Sequence, residues 1–386
     1  MNLKGIRVLV LDGFGRQIPS ILHELHKLGC ISYTVNSSRL DVGFTSRYPQ
    51  KRFVINNYRE DSIALEEFLI NELMTRKYDV VLPVLEESTE ILLKNEARLK
   101  DIVKIACAPY DAFVQAFDKQ KTMEICMREN VPCPITKTDD ETLEEFLKKV
   151  TFPIAVKPRK GTGSVGFKCV QNKEELELLI KERIVIPKEY IIQEYIPQTL
   201  KQYSVYMFFD NNKQCTSAIV AEHSRWYPKD GGPGCFITTI DNKKMADDSI
   251  KMMQAMGWSG FCQSGLIMDP RDNTPKVLEV NGRIPAGIKI CQLCEHNIVL
   301  SIIKRALGDD VDNYGYSTKS GVCLQYSQTD WLCCLHTHKW WKETPKFFFN
   351  KNTQDYIFSW QDPVPWFSYT IQHMIAFKKE MKKRKH

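Results

Sequence analysis

The stretch Val156-Lys157-Pro158-Arg159-Lys160-Gly161-Thr162-Gly163-Ser164-Val165-Gly166-Phe167 constrains this chain more than any other. The apolar run ending at Lys157 reads as a strand, and Phe167–Val170 reads as another. Gly161, Gly163 and Gly166 stand between them. Without Cβ atoms they let the chain reverse tightly and leave backbone N–H groups unobstructed. The spacing Gly161-x-Gly163-x-x-Gly166 satisfies the dinucleotide-binding expression to the letter. That loop opens a helix, however, whereas Phe167-Lys168-Cys169-Val170 continues as a strand. The segment therefore predicts a strand–turn–strand flap. With Lys157 and Lys160 it offers a polyphosphate fixed positive charge and a run of N–H donors; a flexible surface hairpin is the alternative.

Other phosphate-binding patterns fail here. Ile154-Ala155-Val156-Lys157 echoes the strand lysine of protein kinases, but in kinases the glycine loop precedes that lysine, and here it follows. No His-Arg-Asp, Asp-Phe-Gly or Walker A sequence is present. Downstream, Glu279, Asn281 and Arg283 recur at every second position of an apolar run, so a strand would project all three from one face. A carboxylate, an amide oxygen and a guanidinium together suit a hard cation bound to phosphates. A solvated edge strand is the alternative.

The first hundred residues alternate strand-like and helix-like texture: Ile6–Leu11 and Ser32–Val35 as strands, Ile18–Leu28 and Ile63–Arg76 as helices. Asp79–Val84 reads as a further buried strand, and Glu86–Leu99 as another helix. Such alternation implies a parallel sheet. Asp12-Gly13-Phe14-Gly15 starts like a dinucleotide fingerprint, but Ile18 stands where the third glycine belongs, so a tight turn is the better reading. A turn at the carboxyl end of the first strand can still touch a ligand. From Asp118 the texture changes to α+β: a helix to Arg128, the flap, a strand at Tyr190–Tyr195, and two hairpins turning at Asp210-Asn211-Asn212 and at Asp269 to Asn273.

The chain has 386 residues, 43% hydrophobic and 26% charged, and so reads as a soluble protein of two or three domains. Its net charge of +6 sits largely in the final residues, where Lys378, Lys379, Lys382, Lys383, Arg384 and Lys385 face a single Glu380. The remainder is near neutral, which argues against nucleic acid as a partner. No apolar run reaches the ~18 residues of a membrane span, and no signal peptide is evident. The expected place is the cytoplasm, including the inner face of a membrane. Thirteen cysteines at irregular spacing read as reduced, packed thiols. Cys291-x-x-Cys294 with His296, and Cys333-Cys334 with His336 and His338, make only a poor zinc pattern.

Taken in order, Asp118-Lys119, Ile154–Pro158, the glycine flap, Ile191-Ile192-Gln193-Glu194-Tyr195-Ile196 and Leu278-Glu279-Val280-Asn281-Gly282-Arg283 resemble the ATP-grasp enzymes over roughly residues 3–310. The resemblance implies a mixed α/β and α+β architecture. An N-terminal parallel-sheet domain (1–115) would precede a small subdomain with the flap (116–188), a larger subdomain (189–328) and an aromatic, basic extension (329–386). It implies ATP with Mg²⁺ or Mn²⁺, and a carboxylate activated as an acyl phosphate for attack by an amine, such as an amino acid. By position, Lys119, Lys157, Lys160, Gly161, Thr162, Gly163, Ser164 and Gly166 would hold the phosphates. Gln193, Glu194 and Ile196 would read adenine, and Gln202 would meet the ribose. Glu279 and Asn281 would hold the metal, with Gln263 as a neutral substitute ligand, because Gly265 stands where the family carries an acid. Arg283 and Lys157 would stabilise the transferring phosphoryl group, and Arg225 would hold the substrate carboxylate unless it is a structural arginine in a turn. Glu86 or Glu87 would bind the amine. The extension resembles tails of ATP-grasp proteins from surface-polysaccharide pathways. This points to a glycan or small-molecule acid, to a homodimer as a compatible assembly, and to contact with anionic lipid through the basic end. A helix packed on the core is the alternative for that end. Two other functions stay open: a nucleotide-binding protein with weakened catalysis, and a phosphotransferase.

Overall fold

In the computed structural model, the residues described are 3–56, 58–161, 166–199, 201–227, 232–338, 340–342, 345–347 and 352–383, with side chains in the last stretch only to 375. The N-terminal strands are β1 (Arg7–Val10), β2 (Ile31–Asn36), β3 (Lys51–Val54), β4 (Val80–Leu82) and β5 (Lys104–Ile105). Among the described residues they form an all-parallel sheet in the order β3-β2-β1-β4-β5. Val8, Leu9 and Val10 are fully buried, as a sheet covered on both faces requires. The helices Ile18–Lys27 and Ser62–Thr75 supply that cover. The order reverses beside β1, so a crevice opens beyond the carboxyl ends of β1 and β4. The turn after β1 and the start of the helix Glu86–Lys94 meet there.

Asp12 ties those two pieces together. Its carboxylate accepts from the Val84 and Leu85 N–H groups at 3.0 and 2.8 Å, from Ser88 Oγ at 2.6 Å and from Tyr58 OH at 2.9 Å. Burial pushes its pKa up against the pull of these donors. Gly13 is glycine for want of space: a Cβ there would lie 1.9 Å from Asn36 Oδ1. The tight-turn reading of this segment therefore holds, for a steric reason.

The small three-stranded sheet pairs β6 (Ile154–Pro158) with β7 (Lys168–Val170) and β8 (Tyr190–Glu194), in the order β7-β6-β8. The helix expected to open at Asp118 forms as Lys119–Arg128, and Asp118 caps it by accepting from the Gln120 N–H. The larger sheet contains β9 (Gln202–Phe209), β10 (Cys215–Trp226), β11 (Gly234–Ile240), β12 (Gly260–Asp269), β13 (Thr274–Asn281), β14 (Gly315–Tyr316), β15 (Cys323–Gln325) and β16 (Thr353–Asp355). Its order is β13-β12-β9-β10-β11-β15-β16, with β14 beside β10. Both expected hairpins form, β9 with β10 and β12 with β13.

The extension departs from a purely helical tail. β16 pairs parallel with β15 and lengthens the large sheet. The helix Val364–Lys383 lies against the N-terminal unit, where Ser46 Oγ donates to Asp362 at 2.6 Å and Gln372 Nε2 donates to Asp41 Oδ1 at 2.8 Å. Phe347, Tyr356 and Ile357 are buried, whereas Trp331, Trp341, Trp360 and Phe367 are exposed. The side chains of the basic cluster after 375 lie outside the described residues. Among the described residues, no helix is long and apolar enough to cross a membrane.

Candidate active site

A cleft of about 450 Å³ lies between the small sheet, the large sheet and the N-terminal unit. Both distant segments singled out in the sequence line it: Lys157, Lys160 and Gly161 from one side, Glu279, Asn281 and Arg283 from the other. Lys157 Nζ donates to Leu278 O at 3.3 Å, one residue from Glu279. Burial lowers the Lys157 pKa to about 8; the Glu279 carboxylate opposes that shift and the Lys119 ammonium adds to it. Lys119, at the head of its helix, reaches across to Gly161 O at 2.6 Å. Arg159 is not part of this set: it is held by Asp118 and Asp139 and splints β6 to the capping turn. Thr162, Gly163 and Ser164 fall outside the described residues.

The opposite end of the cleft is bounded by Gln193, Tyr195, Ile196 and Gln202. Gln193 is buried and its Nε2 donates to Thr136 Oγ1 at 2.7 Å, so its side chain braces the wall. Glu194 lines the same end, but its side chain is engaged elsewhere. Its carboxylate accepts from the Ile135 N–H at 2.9 Å and pairs with Lys276 at 3.0 Å and Arg271 at 2.7 Å. Only its backbone is left to meet a ligand. Gln202 Nε2 donates to Gln198 Oε1 at 3.1 Å on the rim.

Among the described residues, the Glu279 carboxylate makes no hydrogen bond or ion pair, so two hard oxygens face the cleft beside Lys157. Asn281 Oδ1 accepts from Arg283 Nη2 at 3.0 Å, and Asn281 Nδ2 donates to Gln263 Oε1 at 2.8 Å. Gln263 Nε2 donates in turn to Ser204 Oγ at 2.7 Å, and Ser204 Oγ lies 2.7 Å from His223 Nε2. Gln263 Oε1 and Asn281 Oδ1 thus each accept one hydrogen bond and each keep a second lone pair. A Cβ at Gly265 would lie 3.4 Å from Glu279 Cγ, so any side chain there would begin beside Glu279. The donors Glu279, Asn281 Oδ1 and Gln263 Oε1 line one cleft and suit a hard divalent cation whose other ligands are phosphate oxygens and water.

Arg283 Nε donates to both oxygens of Glu86 at 2.8 Å. Burial raises the Glu86 pKa, and the Arg283 charge opposes the rise. Glu86 is thus the arginine's holder, which corrects its assignment to an amine. Arg225 is corrected too. It is 5% exposed, with Nε and Nη2 each 2.6 Å from an Asp330 oxygen and Nη1 on Pro345 O. Phe236 and Phe347 enclose the guanidinium. It locks β10 to the helix Ser327–Leu335 and does not line the cleft, so the structural alternative holds.

Several lining residues escaped the sequence reading, among them Arg16, Tyr206, His223 and Tyr356. Burial lowers the His223 pKa to about 4, and among the described residues its buried Nδ1 has no partner. The turn after β1, which the sequence left able to touch a ligand, delivers Arg16. The cysteines are free thiols; Cys291, Cys294, Cys333 and Cys334 are packed in the core.

Comparison with known proteins agrees with this geometry. Residues 116–287 match the family described as "ATP-grasp domain". The D-alanine–D-alanine ligase of Carboxydothermus hydrogenoformans is 25% identical over 267 residues, which is 59% of this chain and 85% of that protein. Among solved structures, N5-carboxyaminoimidazole synthetase from Staphylococcus aureus, complexed with ADP, superposes with a TM-score of 0.63 at 16% identity, covering 83% of this chain and 82% of that one. An L-amino acid ligase from Bacillus licheniformis gives a TM-score of 0.60 at 17% identity over 79% of this chain and 74% of its own. At these identities the structural likenesses speak to the fold.

Proposed function

We propose, from the premise that residues 116–287 of this chain are an ATP-grasp domain, that it is an ATP-dependent ligase. It activates a carboxylate as an acyl phosphate and transfers the acyl group to an amine. The observation that carries this reading is the convergence of Lys157 and Glu279 on one cleft, with Lys157 Nζ 3.3 Å from the carbonyl that precedes Glu279. Relatives named as ligases of D-alanine and of L-amino acids support an amino acid as one substrate.

The chain's own residues have clear tasks. Lys119, Lys157 and Lys160 neutralise phosphate charge from the flap side. Arg283 presents Nη1 to the transferring group while Glu86 and Asn281 hold its other nitrogens, so little reorganisation is needed as charge develops. Tyr195 and Ile196 wall the base-binding end. Glu279 and Asn281 would hold Mg²⁺, which when bound supplies charge neutralisation between the terminal phosphates. The flap must open for nucleotide and close over it, because an acyl phosphate hydrolyses in water.

Surface-polysaccharide or amino-acid-derivative biosynthesis is the setting we propose. Support for it comes from the resemblance of the tail alone. A second reading, a nucleotide-binding protein with weakened catalysis, is favoured by Gln263 Oε1 accepting from Asn281 and by the missing acid at Gly265. Incubation with ATP, Mg²⁺ and acid–amine pairs separates the two. Phosphate release that needs both acid and amine supports the ligase. Tight nucleotide binding with no turnover under any pair supports the second reading, and a phosphorylated product without free phosphate indicates a phosphotransferase.

A further inference from the structure

We propose that Arg16 anchors a substrate carboxylate in a pocket built jointly by the N-terminal unit, the nucleotide cleft and the C-terminal extension. The proposal rests on the ligase reading and names a residue for the task that Arg225 cannot perform.

Arg16 sits in the turn after β1, at the switch point of the parallel sheet, and lines the cleft. Its turn is fastened to the segment after β13, since the neighbouring Gln17 donates from Nε2 to Ile284 O at 2.9 Å, one residue past Arg283. The guanidinium carbon lies 4.4 Å from the centre of the Tyr326 ring. Tyr326, Tyr356 and Tyr369 surround it. Tyr326 OH donates to Tyr369 OH at 3.1 Å and lies 3.0 Å from His373 Nε2. Tyr356 also faces the cleft.

What surrounds Arg16 is aromatic faces and phenol oxygens, with no carboxylate among the described residues. Arg283, which shares the cleft, differs, as do three arginines outside it. Arg225 has Asp330, Arg283 has Glu86, Arg159 has Asp118 and Asp139, and Arg271 has Asp269 and Glu194. A guanidinium cannot shed its proton, so a half-buried one must recover its lost hydration from neighbours. Stacking on tyrosine recovers part of it. A carboxylate taken bidentately would recover the rest.

Position argues for substrate over nucleotide. The lysines at 119, 157 and 160 already serve the phosphates from the flap. Arg16 approaches from the opposite, N-terminal side, beside the loop that carries the reacting arginine. Its partner carboxylate belongs either to the acid that is activated or to an amino acid acting as the amine.

The test uses the full-length protein loaded with MgADP, as wild type, R16K and R16M. Thermal midpoints are measured against the proteinogenic amino acids, D-alanine and short linear dicarboxylates, each beside its carboxamide. At least one free acid raises the wild-type midpoint while its amide does not. Its affinity falls roughly 10- to 100-fold in R16M and less in R16K, the scale of one charge-assisted interaction. MgADP affinity stays the same in both variants, which also reports that they fold. Equal acid binding by wild type and R16M, or no carboxylate-dependent binding across the panel, overturns the proposal. Isotope scrambling within ATP identifies the source. Scrambling with acid alone that is lost in R16M assigns the carboxylate to the acid; retained scrambling with a raised KM for the amine assigns it to the amine. Carboxylate binding through Arg16 without turnover for any pair removes the ligase reading and leaves the anchor; turnover unchanged in R16M does the reverse.

Discussion

Replacing Lys157 by Met should make the empty protein more stable while weakening its hold on nucleotide. The ammonium is taken out of water beside Lys119, and its pKa falls from the ordinary 10.5 to about 8. That gap corresponds to ~3 kcal/mol of native-state penalty at most. The sign follows from proton counting. Below pH 8 the lysine is charged in both the folded and unfolded chains, and the folded one bears the full penalty. Between pH 8 and 10.5 the folded chain releases the proton first, so wild type gains stability on the variant as pH rises. Above 10.5 the penalty is gone. Urea unfolding of both proteins across this range should show K157M ahead at neutral pH, with the lead shrinking on the alkaline side. Titration with ATP should show the opposite ranking, with affinity lower by roughly 10-fold or more, the worth of one charge-assisted phosphate contact. A variant that is less stable than wild type at neutral pH, or that binds ATP equally well, would refute the reasoning.

Other outcomes follow from the same geometry. Glu279→Gln should lower turnover by roughly two orders of magnitude, with ADP affinity in the absence of metal unchanged; full activity would remove it from the metal site. Arg225→Ala should cost ~3–5 kcal/mol by stranding the Asp330 charge in the core, read as a fall in melting temperature, with KM for ATP unchanged in the folded fraction. Glu86→Gln should loosen Arg283 and lower kcat about 10-fold, equivalent to ~1.4 kcal/mol, with little change in ATP affinity by calorimetry. Gly166→Ala meets both a φ of 76° and Pro158 Cγ at 2.8 Å from the new Cβ. It should strain the flap by ~1–2 kcal/mol, detectable as faster proteolysis of the loop and weaker nucleotide binding.

Local signals carried much of the fold. The apolar run of β1, the helix opening at Asp118 and the turn-rich stretch from Asp269 to Asn273 each depend on a few adjacent residues, and each formed where expected. The shared face of Glu279 and Asn281 was legible because two-residue spacing fixes a strand face, whereas the meeting of Lys157 with Glu279 was implied by the family resemblance. Roles that depend on distant partners were not legible. Arg225 looked available until Asp330, more than a hundred positions later, was seen against it. Glu86 and Arg283 neutralise each other across an even longer separation. Glu194 is consumed by Lys276 and Arg271 from the β12–β13 hairpin. Nothing in the one-dimensional order announces such pairings. β15 and β16 are three-residue strands, too short to carry an alternating pattern, so their place in the large sheet emerges only from tertiary pairing. Arg16 had no spacing signature at all.

The lashing of the segment around the helix Val364–Lys383 to residues 41–47 has a consequence for the back of the cleft. It holds side by side residues that are 316 and 331 positions apart. Tyr369 belongs to the same helix and stands beside Arg16. Loosening this fastening would therefore draw the wall away from Arg16 while leaving Lys119 and Lys157 where they are.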